Sequence, residues 1–414
     1  MPGLRILYLH QHFSTPAGAT GTRSHAMARA LAARGHAVTL ACGQYAGAVT
    51  GLEGGFRRGR REGRVAGFRV VEFAIPCGNA QGLAARAAAF LRYAARATAL
   101  ALSGPWDVLV ASSTPLTVAL PALAARQMRG LPFVFEIRDP WPGLPRAMGI
   151  GSPPLWAAMD RLADAACRRA AAVVALSEGM AETARAHGAA PGAVHVVPNG
   201  SDLDLFGPQV APWRPEMAGS EEVVAVYAGA HGRANGLDQL LDAAALLRGA
   251  PLRLVLVGQG AGKPRLLARA AAEGLGNVSF LDPLPKPRLA ALLAGSQIGL
   301  QCLAPVADFA EWTAPNKLMD YLAAGLPVVS NLPGRAARLL AQGPCGIATP
   351  PGDAAALAEA LAVLARDPAR RAALGTAARR QAVRRWDRRL LAAEFCAVVE
   401  AAARPMPARS LVPA

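Results

Sequence analysis

This sequence predicts two similar α/β domains, each a doubly wound parallel sheet, facing one another across a cleft. Three observations predict it. Short apolar runs alternate with helical patterns along most of the chain. A Pro- and Gly-rich stretch without period, GPQVAPWRPEMAGS at 207–220, divides that series in two. The length, 414 residues, is enough for two cores of ordinary size.

In chain order, residues 6–9 read as the first strand, 23–34 as a helix stopped by Gly35, and 37–41 as the second strand. An arginine-rich loop leads to a strand over 65–73. Strands at 108–112, 133–137, 172–176 and 194–197 follow, separated by helices near 116–129, 154–169 and 178–187. After the linker the series restarts: strand 222–227, helix 236–247, strand 252–257, helix 263–274, strand 278–281, helix 288–294 and strand 298–301. Residues 352–402 are mostly helical, and the stretch after Trp386 is long enough to cross back onto the first domain. The expected domains are 1–208, 209–385, and a C-terminal helix with its tail at 386–414. Both halves read as Rossmann-like, so the ligand belongs where the carboxyl ends of the parallel strands form a crevice.

Composition narrows the function. Apolar content of 53% with 42 Gly and 33 Pro argues against disorder. No apolar run approaches the roughly 20 residues of a membrane span. The start, MPGLRILYLHQHF, begins as a strand and lacks a charged leader, which implies a cytoplasmic protein. The six cysteines (42, 77, 167, 302, 345, 396) are scattered with no CxxC and no clustered histidines, as expected of reduced thiols, and no zinc ligand set is visible.

Net charge is +16, and almost every basic residue is arginine. Lysine occurs only at 263, 286 and 317, near expected loops of the second domain; chance and a retained role both account for that. Arg57, Arg58, Arg60, Arg61 and Arg64 cluster just before a helix over 83–102 that carries Arg86, Arg92 and Arg96. Leu83, Ala87, Phe90, Leu91 and Ala94 fall on one face at helical spacing. The pair suits an anionic membrane surface, and equally an ordinary packed helix beside a solvated loop. Nucleic acid is not an expected partner, since no aromatic-interleaved basic strand, helix-turn-helix or zinc finger is present.

The most informative stretch is APNKLMDYLAAGLPVVS at 314–330. Pro315-Asn316 starts a helix over 317–324, Gly325 stops it in the left-handed conformation, and Pro327 blocks a restart. A helix N-terminus carrying Lys317 is suited to phosphate, because free N–H groups and the positive dipole end converge there. Asp320, one turn on, is within reach of hydroxyls on the same ligand. Together they imply a bound nucleoside diphosphate. Elsewhere, the loop PAGATGTR at 16–23 joins strand to helix with Gly18 and Gly21, a weak phosphate signal on its own. No acidic residue ends the second strand, which argues against a dinucleotide oxidoreductase. FEIRDPWP at 135–142 puts Glu136, Arg138 and Asp139 at the carboxyl end of a buried strand, where they either face the cleft or pair internally. Asp202-Leu-Asp204 matches the acidic DxD pattern of metal-dependent transferases but sits in a turn, and no metal is expected.

The 314–330 stretch resembles the nucleotide-sugar signature of retaining GT-B glycosyltransferases of family 4. The resemblance extends over nearly the whole chain. It includes a polysaccharide-assembly (WbuB-like) subgroup in which PNK or PSK precedes the helix and the first of two family glutamates is missing; that position here is Trp312, beside Glu311. The resemblance implies the following roles. Asp320 would hold the donor ribose. Gly18 and Gly21 would lie against donor and acceptor, and Glu136, Arg138 and Asp139 would line the acceptor side, with Asp139 receiving or orienting the hydroxyl proton. In YAGAHGRANGLD at 227–238 the family's arginine and lysine are replaced by Ala230 and Asn235. Arg233 would supply the charge there, with Lys317 second and Gly229 keeping the backbone close. Gly258 of VGQG and Leu284 of FLDPLPK would meet the nucleoside through backbone, and Asn316 would begin the signature helix. Activity is expected to be hexosyl transfer from a nucleotide sugar to a lipid-linked saccharide on the inner face of the plasma membrane, without cofactor. A nucleotide-sugar 2-epimerase and a non-catalytic nucleotide-sugar or membrane-binding protein share these features and stay open.

Overall fold

The computed structural model describes residues 3–78, 81–312 and 316–404. Pro315, expected to open the signature helix, and the tail beyond Arg404 lie outside them. The first sheet collects β1 (Arg5–Leu9), β2 (Ala37–Tyr45), β3 (Arg60–Val65), β4 (Phe68–Cys77), β5 (Val108–Ser112), β6 (Phe133–Ile137), β7 (Ala172–Ala175) and β8 (Val194–Val196). Their order is β3-β4-β2-β1-β5-β6-β7-β8. Only β3 runs antiparallel. Its connecting helices are α1 (Arg23–Ala33), α2 (Leu83–Ser103), α3 (Ala119–Arg129), α4 (Gly143–Ala147), α5 (Pro153–Arg169) and α6 (Glu178–Ala186). The central strands are buried throughout and mostly apolar because helices cover both faces, with Ser112 and Glu136 as exceptions at their carboxyl ends. Gly130, at φ 67°, ends α3 in the left-handed conformation.

Two sequence expectations change here. Part of the arginine-rich loop is the edge strand β3, where Arg61 pairs with buried Glu72 at 2.9 Å; an edge lined with charge resists pairing with other chains. The face proposed for α2 is split. Phe90 and Ala94 join Ala89, Tyr93, Ala97 and Ala101 in the core, whereas Leu83 (61%) and Leu91 (58%) stay exposed. The helix packs with the stripe that its tyrosine and alanines define, leaving Leu83, Ala87 and Leu91 outside.

The second sheet holds β9 (Val223–Ala228), β10 (Leu252–Val257), β11 (Val278–Leu281), β12 (Ile298–Gln301), β13 (Val328–Ser330) and β14 (Gly346–Ala348). It is parallel, in the order β11-β10-β9-β12-β13-β14. Around it lie α7 (Asp238–Leu246), α8 (Lys263–Ala272), α9 (Lys286–Ala294), α10 (Phe309–Trp312), α11 (Asn316–Ala323), α12 (Arg335–Gln342), α13 (Ala354–Arg366) and α14 (Pro368–Arg385). Sequence patterning missed β14, α10 and α12; the first two are three and four residues long and too short to show a period, and α12 is only eight.

Strand order reverses between β1 and β5 in one sheet and between β9 and β12 in the other, the positions where doubly wound folds bind ligands. A final helix, α15 (Arg388–Ala402), returns to the first domain. Leu391, Phe395 and Val399 cover the sheet face beside α1, and Phe395 stacks on Tyr8 with ring centroids 6.0 Å apart. The two crossing segments are stitched together. The N–H of Ser201 donates to Trp386 O (2.8 Å), and that of Arg388 donates to Ser201 O (3.0 Å).

Candidate active site

The second-domain wall is built on bare backbone. Gly229 ends β9, and a Cβ added there would lie 2.8 Å from Lys317 Nζ. Gly258 ends β10 at φ 145°, where a Cβ would stand 1.9 Å from Gly229 O, so only glycine fits. Lys317, second residue of α11, donates to the Tyr227 hydroxyl (3.0 Å) and rests over that ring, 4.2 Å from its centroid. The residue keeps partial exposure, but burial of its ammonium brings the pKa down to about 8. A cation so poorly solvated gains most from an anionic ligand. Arg233, on the turn Arg233–Asn235, is exposed, and its side chain has no hydrogen bond or ion pair among the described residues. Asn235 lies next to it, half-buried. Leu284 leans on the second-domain core just before α9.

The first-domain wall carries the acceptor-side candidates. Arg138 donates to Nε2 of buried His10 (2.8 Å), whose pKa burial and the guanidinium push well down, leaving a neutral imidazole as acceptor. Asp139 accepts a hydrogen bond from Thr114, and both Arg138 and Asp139 are partly exposed. Gly21 joins the two walls, since a Cβ there would lie 3.6 Å from Arg138 Nη2 and 3.7 Å from Asn316 Nδ2. The glycine-rich loop, the FEIRD segment and the start of α11 therefore converge.

Residues 18–200 match the glycosyl transferase 4-like domain family, and residues 222–367 match the glycosyl transferases group 1 family. Each domain thus matches a glycosyltransferase family model of its own. It is similar to WcaI of Escherichia coli K12, assigned to colanic acid biosynthesis as a glycosyl transferase, at 35% identity over 25% of each chain. It is also similar to D-inositol 3-phosphate glycosyltransferase 1 of Catenulispora acidiphila, at 31% identity over 66% of each. The matches thus span a quarter and just under two thirds of those relatives' lengths. Among solved structures, sucrose-phosphate synthase of Thermosynechococcus elongatus superposes with a TM-score of 0.76 at 18% identity, covering 96% of this chain and 98% of that one. Anabaena HepE in complex with UDP-glucose gives 0.66 at 18% identity, covering 96% and 99%. WaaG, a glycosyltransferase involved in lipopolysaccharide biosynthesis, gives 0.68 at 18% identity over 95% and 99%. These likenesses establish the two-domain GT-B fold.

The structure corrects three sequence expectations. Glu136 does not face an acceptor. It is 0% exposed and bound by Arg23 (2.8 Å), Ser112 Oγ (2.5 Å) and Tyr8 (3.3 Å). Burial acts to raise its pKa, but the charges of Arg23 and Arg138 and these hydrogen bonds outweigh that, and the net shift is downward. Asp320 is not open to a ribose; its oxygens take hydrogen bonds from Ser201 Oγ and Lys286 Nζ, both at 2.8 Å. Gly18 packs into its own loop, where a Cβ would lie 2.3 Å from Ser14 Oγ and 2.8 Å from Val49 N. Neither internal pair considered for Arg138 forms. Trp312 stands against Gly143 of the first domain, where a Cβ would meet its ring at 2.7 Å, and Glu311 pairs with Arg338 at 2.6 Å.

Sequence reasoning missed Arg23, Tyr227, His10 and Lys286. A signal existed for Lys286 alone, as one of three lysines in an arginine-dominated chain. All three prove to be tethered: Lys263 holds Gly258 O, Leu281 O (both 3.0 Å) and Asp282 (2.8 Å), and the other two bind Asp320 and Tyr227. Among the described residues no group of three or more His, Cys, Asp or Glu could hold a metal ion, and the six cysteines are free and buried.

Proposed function

We propose that this chain is a retaining, metal-independent transferase. It moves a hexose or amino-hexose from a nucleoside-diphosphate sugar to an acceptor hydroxyl. One juxtaposition carries the reading: the Lys317 ammonium lies beside bare backbone at Gly229 and Gly258, and Gly21 and Arg138 face the start of α11 from the other domain. As the glycosidic C–O bond breaks, negative charge grows on the departing diphosphate. Lys317 and the free N–H groups of α11 stabilise that charge before it develops fully. Glu136 and Asp320 are buried and committed to other groups, so neither acts as nucleophile. The acceptor oxygen bonds to the anomeric carbon on the face the diphosphate leaves, and its proton passes to Asp139 or to the departing phosphate oxygen. The HepE complex supports a nucleotide-sugar donor, and the names of WcaI and WaaG support an acceptor in cell-surface polysaccharide assembly.

The same reading puts the protein at the cytoplasmic face of the inner membrane, working on a lipid-linked saccharide. No described helix is long and apolar enough to cross a membrane. Leu83, Leu91, Arg92 and Arg96 of α2 are exposed, and Arg96 reaches the loop of exposed Arg57 and Arg58, its Nη2 3.5 Å from where a Cβ would stand on Gly59, a combination suited to an anionic surface. The primary test is a thermal-shift screen of UDP-, GDP- and dTDP-sugars, followed by transfer with EDTA present and NMR of the product's anomeric configuration. An inverted product, or strict Mn²⁺ dependence, overturns the mechanism. Flotation on phosphatidylglycerol vesicles tests the surface, and unchanged binding by an R57E/R58E variant would remove it.

A further inference from the structure

We infer that His231 is a donor-binding residue whose imidazole donates a hydrogen bond to the diphosphate beside Lys317. The inference rests on the function proposed above and adds a contact to it.

His231 is 1% exposed, and among the described residues neither ring nitrogen has a hydrogen-bond partner. Buried polar groups are nearly always satisfied, so an unpaired imidazole in a folded chain calls for a partner. Packing does not explain it. The ring lies between Tyr227 and Phe280, with centroids 6.1 Å from each, and an apolar side chain of that size would fill the space with no polar atom to satisfy.

Position points to the diphosphate. Nε2 lies 3.5 Å from where a Cβ would stand on Gly258, and Lys317 Nζ lies 2.8 Å from where one would stand on Gly229. Those two glycines touch, so imidazole and ammonium flank one patch of bare backbone. Gly260 and Gly262 lie against the His231 backbone, where an added Cβ would stand 2.6 and 2.8 Å from His231 O. The loop is also held in place. The His231 N–H donates to Gln259 O (3.0 Å), and His231 O accepts from Gly262 N–H (2.8 Å). Burial, with the charges of Lys263 and Lys317, brings the imidazole's pKa to about 4, so it is neutral at pH 7 and keeps one N–H to donate.

The test uses His231→Leu and His231→Gln in the full chain, with whichever of UDP-glucose, UDP-N-acetylglucosamine, GDP-mannose or dTDP-glucose stabilises wild type. Calorimetric affinity and the unfolding midpoint are both read. The expected result is that His231→Leu unfolds at or above the wild-type midpoint yet binds donor about tenfold to hundredfold more weakly, while His231→Gln recovers part of the loss. Donor affinity of His231→Leu within twofold of wild type overturns the inference, as does a loss that merely tracks lowered stability in both variants. Lys317→Met separates the two readings. If it loses donor binding and His231→Leu does not, only this inference falls. If wild type binds none of the four donors, the proposed function falls and this goes with it.

Discussion

Lys317→Met separates function from stability in one substitution. Methionine keeps an unbranched stem over Tyr227 but removes the charge. The fold holds the ammonium at a pKa of about 8 against an ordinary 10.5, so keeping it charged at pH 7 costs about 3 kcal/mol. Removing it recovers that cost, less the interaction with the Tyr227 ring, worth about 0.5–2 kcal/mol, and the hydrogen bond to its hydroxyl. The variant should therefore be as stable as wild type at pH 7, or about 1 kcal/mol more stable, by urea unfolding. Catalysis moves the other way. A charge 4 Å from a phosphate oxygen contributes about 4 kcal/mol at an effective dielectric of 20, and losing one preorganised donor to a developing oxyanion typically costs about 100–1,000-fold in kcat. Transfer should fall by that factor, measured as nucleotide release with saturating donor. A variant that transfers sugar like wild type, or that loses activity only because it unfolds, refutes the reasoning.

Other perturbations test the same structure. The Lys317 amine gives opposite pH slopes. Between about pH 8 and 10.5 the unfolded chain binds more protons than the folded one, so this group makes stability rise with pH, whereas donor affinity should fall up to tenfold per pH unit above 8; Lys317→Met should flatten both. Glu136→Gln leaves Arg23, 2% exposed, without its buried counter-ion, and should cost about 3–5 kcal/mol in urea unfolding. Lys286→Met leaves the buried carboxylate of Asp320 with Ser201 and should cost a similar amount, with a loss of donor affinity because the start of α9 and α11 are no longer joined. Gly258→Ala forces a Cβ to 1.9 Å from Gly229 O, so donor binding should be lost even if the chain still folds, as calorimetry with the donor would show.

Much of the fold was legible because its signals are local. Short apolar runs separated by helical periods marked most strands of both sheets, though not the charged edge strand β3 or the three-residue β14. Gly325 and Pro327 gave the stop of α11, and Lys317 was identifiable from its place at a helix start. Glycine played two parts that sequence alone did not separate. Gly18 and Gly21 look equivalent in PAGATGTR, yet one is packed beneath Ser14 and the other faces Arg138 and Asn316.

By itself the sequence determined the two-lobed α/β plan, the helix that returns to the first domain, and the basic helix tip that suits a diphosphate. These follow from periodicity and backbone chemistry within a few residues. Only the tertiary structure decided which charges are available to a ligand. Glu136 lies next but one to Arg138 in sequence, but it is neutralised by Arg23, which comes 113 residues earlier, and Asp320 by Lys286, 34 residues away on another helix. A buried carboxylate must find a counter-charge wherever the fold supplies one. Pairings at that sequence distance leave no mark on local pattern.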